Sequence, residues 1–165
     1  MSVTPHPEPT VQSAVEHALM PSEATEMADA LKGRVRCVVV TPEKAVLDEI
    51  AELVIVPMFD GELGVLPGRS PLIGRLGAGE LRLKSAGTVK RYFVEAGFVQ
   101  VRSNVVTVLT ANARPAETVT AEVAATAAEQ AAALPATNPV ERANKTKARD
   151  RAAGLKRVAG RNPTA

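Results

Sequence analysis

The sequence predicts a β-sandwich followed by an α-helical hairpin, with strands and helices in separate blocks. Three observations carry this. From Arg34 to Thr110, short runs rich in Val, Leu and Ile are broken by Gly, Pro or Ser-Asn turn signals at roughly 8–12-residue spacing. From about residue 118 the pattern changes to strong helix formers, Ala above all. Pro135 and the pair Asn138-Pro139 then divide the helical block in two. The first block leaves no room for helices between strands, so a parallel α/β sheet is disfavoured and an antiparallel sandwich is expected.

Taken in order, residues 1–33 read as a flexible acidic extension. They carry Pro5, Pro7 and Pro9, and only Val11, Val15 and Leu19 fall at helical spacing. No basic start is followed by an apolar block, so the segment does not read as a secretory signal, and its acids do not suit a transit peptide. A sandwich is expected over 34–113. Val35, Cys37 and Val39 alternate with Arg36 and Val38, the period of a half-buried strand. Further strands are expected at Ala45–Leu47, Leu53–Val56, Leu72–Leu76, around Leu81 and Leu83, and at Val89–Glu95, Phe98–Arg102 and Val105–Leu109. The stretch Asp60–Leu72, with Gly61, Gly64, Pro67-Gly68 and Pro71, reads as a tight loop on the sandwich rim. It lacks the spacing of a phosphate-binding loop, and no helix follows to receive a phosphate.

The hairpin with its basic tail is expected over 114–165. Thr118 or Thr120 can cap the first helix, and Pro135 ends it. Asn138 caps the second, with Pro139 at its first position and Glu141 three residues past the cap. The apolar face is thin: Val123, Leu134, Val140, Leu155 and Val158, with Gly154 a local weak point. Such a hairpin should open easily.

Composition excludes several function classes. One Tyr, three Phe and no Trp argue against binding through aromatic stacking. A single cysteine, Cys37, excludes a disulfide framework and a Cys-based zinc site within one chain, and its Val neighbours mark it as a small core residue. The two histidines, His6 and His17, sit in the extension, which leaves the sandwich without a histidine for catalysis. Charge is sorted along the chain: residues 1–33 carry −4, residues 34–140 balance to zero, and residues 141–165 carry +6. A basic tail of this kind suits an acidic partner.

The stretch DGELGVLPGRSPL at Asp60–Leu72 resembles the epsilon subunit of the bacterial rotary F-type ATP synthase. So do GAGELRL at Gly77–Leu83 and FVEAGFVQVRSNVVTVLTANA at Phe93–Ala113, together with the order of sandwich and Ala-rich hairpin. The resemblance runs from Arg34 to about Ala159 and leaves residues 1–33 outside it. It implies a non-catalytic central-stalk subunit of a proton-translocating synthase, turning with the rotor and coupling proton flow to ATP synthesis. The implied partners are the gamma subunit and the c-ring, met by the sandwich, and the alpha and beta subunits, approached by a hairpin that can extend and hinder ATP hydrolysis. Membrane association would come only through the complex, on the cytoplasmic face of the bacterial inner membrane.

Residue by residue, Glu62 matches the family's acidic loop position facing the c-ring. Arg69 stands where many members carry His in a Pro-Gly-His-Ala-Pro pattern, here Pro-Gly-Arg-Ser-Pro. Arg142, Lys145, Arg149, Lys156 and Arg157 lie on the second helix, where the family's basic residues approach an acidic segment of beta. Some members bind ATP through a Leu/Ile-Asp-x-x-Arg-Ala stretch. The nearest match, Val119–Ala124, has Thr120 and Val123 at the two charged positions, so no cofactor is expected. A free-standing sandwich whose basic tail binds nucleic acid or another acidic partner is the alternative. It is disfavoured by the scarce aromatics and neutral sandwich, and a small enzyme ranks last.

Overall fold

The computed structural model describes residues 23–162. The spacing of Val11, Val15 and Leu19 lies outside the described residues. The chain divides into two compact units, residues 1–32 and 33–165. In the first, the described element is helix α1 (Glu23–Ala30), closed by a hydrogen bond from the Lys32 amide to the Asp29 carbonyl.

Among the described residues of the second unit, ten strands precede two helices. The strands are β1 (Val35–Val40), β2 (Ala45–Ala51), β3 (Leu53–Met58), β4 (Gly61–Val65), β5 (Leu72–Leu76), β6 (Gly79–Ser85), β7 (Thr88–Val94), β8 (Gly97–Arg102), β9 (Val105–Thr110) and β10 (Ala113–Pro115). A 3-10 turn (Ala116–Thr118) leads to α2 (Ala121–Ala133) and α3 (Pro139–Ala159). Hydrogen bonding follows the order β10-β7-β6-β3-β5-β8-β9-β1-β2, with β4 paired to β3. The sandwich and helical hairpin expected from the sequence are both present.

The path folds back on itself at the β3–β5 junction, where Met58 opposite Leu76 is the only aligned pair. A Cβ at Gly77 would stand 2.7 Å from the Met58 carbonyl oxygen, so the corner needs glycine. The fold-back makes one layer of β4-β3-β6-β7-β10 and another of β5-β8-β9-β1-β2. Alternation decides what lies between them. Cys37 and Val39 of β1, Val99 and Val101 of β8, and Leu81 and Leu83 of β6 all point into one buried core. Each such side chain contributes up to about 1.5–3 kcal/mol by leaving water.

Two strand expectations need correction. Gly61–Val65, read as loop because of its glycines, is a strand in register with β3, from Val54 opposite Val65 to Met58 opposite Gly61. Glu62 is therefore a strand residue. The sandwich is also not wholly antiparallel, because β1 and β9 pair parallel, with Arg36 opposite Val105 and Val40 opposite Leu109. The seven strands between them serve as the crossover a parallel pair requires, so no helix is needed.

Burial at Cys37 is complete. It pushes the thiol pKa up to about 12, with the Glu49 and Asp48 charges adding to the effect. Thiolate is the reactive form, so Cys37 should stay unmodified by a thiol reagent at pH 8 in the folded chain and react on unfolding. Mass spectrometry before and after denaturant checks this, and labelling of the native chain would contradict it.

The hairpin ends follow local capping chemistry. Thr120 Oγ1 accepts from the Val123 amide (3.3 Å), and Asn138 Oδ1 accepts from the Glu141 amide (2.9 Å). Glu141 in turn accepts from the Thr137 amide (2.8 Å), which holds its carboxyl below the usual range. Lys145 Nζ crosses to the end of α2 and donates to the Ala132 and Leu134 carbonyls at 2.9 and 2.6 Å.

Candidate functional site

The outer face of the first layer is built to receive the hairpin. Glu80, opposite Phe93, points away from the core, while Leu81, opposite Tyr92, points into it. Phe93 is fully buried beneath the helices with Leu155 and Val158 of α3, Ala124 and Ala127 of α2, and Ala116 and Val119 of the hinge. The aromatic side chains of this region separate: Tyr92 packs against the core, Phe93 lies under the hairpin, and Phe98 is exposed. Of the expected hairpin face, Leu155 and Val158 are buried, whereas Leu134 and Val140 are exposed near its tip. At Gly154, the expected weak point, α3 comes close to the sandwich backbone. A Cβ there would stand 2.5 Å from the Ala78 carbonyl oxygen.

Charge surrounds this apolar contact. Glu80, with its side chain 3% exposed, lies 2.6 Å from Arg91, 3.6 Å from Arg82 and 3.7 Å from Arg161. Arg82 also donates to Glu62, whose other oxygen is 3.6 Å from Arg161. Glu95 receives Arg151 at 2.6 Å, and Arg157 donates to the Ala78 carbonyl at 3.1 Å. Three cations of α3 and the residues just beyond it thus meet acids or carbonyls of the sandwich.

The basic residues singled out from sequence therefore separate. Arg157 is spent on the sandwich, Lys145 on the end of α2, and Arg142 on the Thr137 carbonyl (3.2 Å). The side chains of Arg149 and Lys156 make no hydrogen bond or ion pair with the described residues. They border a groove of about 610 Å³ between α2 and α3, lined otherwise by Ala and Gly. Glu62 and Arg69 also differ: Glu62 is held by arginines, while the exposed Arg69 side chain has no partner among the described residues. Arg69 sits in the turn after β4, its amide donating to the Leu66 carbonyl at 3.3 Å. Sequence reasoning passed over Glu80, Arg91, Glu95, Arg151 and Arg161. Glu95 and Arg151 lie 56 residues apart, Arg161 lies farther still from Glu62 and Glu80, and no local signal joins them.

The outer face of the second layer is uncovered by any described element of this unit. Arg75, Phe98, Leu109 and Val40 lie directly opposite one another across β5, β8, β9 and β1. The Arg75 guanidinium extends the row by lying 4.5 Å over the Phe59 ring. Phe98 is 56% exposed, Leu109 51% and Phe59 64%, with Ile73 in the next row 76% exposed. Large apolar side chains clustered in the open mark a contact surface. Among the described residues no group of three or more His, Cys, Asp or Glu is placed to hold a metal ion. No described helix is long and apolar enough to cross a membrane.

This arrangement of sandwich and hairpin has close relatives. Residues 34–116 match the family model described as ATP synthase, Delta/Epsilon chain, beta-sandwich domain. The ATP synthase epsilon chain of Rhodopirellula baltica is 47% identical over 124 residues, which span 75% of this chain and 97% of that one. The chain belongs to the ATP synthase epsilon-chain family. The epsilon chain of Desulfitobacterium hafniense is 42% identical over 93 residues, covering 56% of this chain and 70% of the relative. The fold is shared with a chain of the Euglena gracilis mitochondrial ATP synthase, OSCP/F1/c-ring (TM-score 0.66, 24% identity, 76% of this chain and 81% of that one). It is shared again with a chain of the Tetrahymena thermophila mitochondrial ATP synthase central stalk/c-ring (TM-score 0.62, 13% identity, 76% and 96%). As an epsilon chain this protein is a non-catalytic accessory subunit with a central-stalk role. Membership displaces the alternative of a free-standing binding module.

Proposed function

We propose that this epsilon chain links the gamma subunit to the c-ring, so that proton flow through the ring is coupled to ATP synthesis, and that its hairpin restrains ATP hydrolysis. The uncovered apolar row of Phe59, Phe98 and Leu109 carries the reading. The hairpin occupies the outer face of one layer, so the other layer is left to meet gamma. The turn after β4 meets the c-ring, with Arg69 as its free cation and Glu62 beside it. The complex, not this chain, supplies the membrane, on the cytoplasmic face of a bacterial inner membrane.

Of the five basic residues singled out, Arg149 and Lys156 are the ones free in the docked form to approach the alpha and beta subunits. Extension frees Arg157 as well, because its partner is the Ala78 carbonyl of the sandwich. Arg142 and Lys145 complete the set near the hairpin tip. Each exposed ion pair with an acidic segment is worth about 0–1 kcal/mol, so restraint needs several at once.

The test compares ATP hydrolysis by the assembled complex carrying either the full chain or a chain ending at Arg114. Faster hydrolysis with the shortened chain is expected. Equal rates from complexes that assemble and couple alike would remove the restraint from the proposal and leave only the link.

A further inference from the structure

Asn162 lies just past α3, and its side chain reaches back to the segment through which the hairpin leaves the sandwich. Its Nδ2 donates to the Ala116 carbonyl at 2.7 Å and to the Val119 carbonyl at 2.9 Å. These residues bracket the 3-10 turn of the hinge, which is closed by the Val119 amide on the same Ala116 carbonyl at 3.0 Å. The other end of the amide faces the sandwich. Asn162 Oδ1 accepts from Arg91 Nη1 at 3.1 Å, and that nitrogen also reaches the Arg161 carbonyl at 3.3 Å. Arg91 is itself fixed by Glu80 at 2.6 Å, a carboxylate almost wholly out of water.

The residue type fits the task. A side-chain amide offers two donors and an acceptor in one plane. Both donors are used on hinge carbonyls and the acceptor on a guanidinium. Asp would keep the acceptor and lose both donors, and Ala would lose everything. The chain of contacts from Glu80 through Arg91 and Asn162 to Ala116 and Val119 joins three parts of the sequence: the β6–β7 hairpin, the hinge, and the residues after α3.

We propose that Asn162 is a clasp that locks the hinge of the helical hairpin. While it is seated, the hinge carbonyls are held in the docked geometry, and the end of α3 cannot leave the sandwich without breaking the contact to Arg91. Arg161 reinforces it by facing Glu62 and Glu80. The clasp itself stands on geometry; its effect on hydrolysis rests on the proposed restraint by the extended hairpin.

Amide hydrogen exchange on the full chain tests it, with Asn162→Ala and Asn162→Asp beside the unaltered protein. Two lost hydrogen bonds should speed exchange of the Val119–Ala124 amides about tenfold in both variants. The amides of Val106 and Val108 in the sandwich core should keep their rates. Unchanged hinge protection in either variant overturns the clasp, and so does equal acceleration in β9, which would mean general loosening. Hydrolysis by the complex carrying Asn162→Ala separates the two claims. A lower rate than with the unaltered chain supports clasp and restraint together. A loosened hinge with unaltered hydrolysis supports the clasp and counts against the restraint.

Discussion

Replacing Gly154 with Val should lift the hairpin off the sandwich while leaving the sandwich folded. Glycine in a helix interior costs about 1 kcal/mol relative to Ala, so on local grounds any such replacement strengthens α3. Packing opposes this. The new Cβ would meet the Ala78 carbonyl oxygen at 2.5 Å and the Ala78 Cβ at 3.0 Å, and a carbonyl in the backbone has nowhere to go. Overfilling a tight contact costs about 1–3 kcal/mol or more, and relief by tilting the helix uncovers Leu155, Val158 and Phe93 together. Amide exchange across α2 and α3 should therefore rise by at least about tenfold, with β8 and β9 unchanged. In the assembled complex the proposed restraint gives this substitution a sign. A freed but intact hairpin should lower ATP hydrolysis, whereas truncation at Arg114 should raise it. Unchanged exchange in the Val variant would show that the close approach at Ala78 does not control docking.

What could be read from the sequence was local. The alternation at Val35, Cys37 and Val39 places all three in the core, because period two puts them on one face. The caps at Thr120 and Asn138 were legible because their partners lie three residues away. The strand at Gly61–Val65 was not, because its signal comes from β3: glycines that suggest a loop are tolerated where a partner strand supplies the hydrogen bonds.

Gly154 reads as a flaw in any scale of helix propensity, and only the neighbouring Ala78 backbone shows its use. The acids and arginines around the docked hairpin were visible as charges but not as pairs. Glu80 and Arg161 lie far apart in the chain, and the fold brings them within 3.7 Å. The basic residues were likewise counted as one set, while the geometry divides them into cations already engaged and cations still free.

The apolar row on the second layer makes the central claim testable at one residue. Phe98 is exposed, so its replacement costs the fold little, about 0.5 kcal/mol or less. Lys is the informative choice. It would sit directly opposite Arg75, which cannot neutralise it, and would carry a charge into any interface that closes over the row. Loss of a central aromatic contact in a closed interface weakens binding by about 2 kcal/mol or more, roughly thirtyfold. Titration calorimetry of the purified gamma subunit with the full chain, its Phe98→Lys variant and a Val140→Lys variant at the exposed hairpin tip measures this most directly. The account predicts that Phe98→Lys loses at least about thirtyfold in affinity while Val140→Lys binds as the unaltered chain does. Equal affinity of Phe98→Lys and the unaltered chain would contradict it.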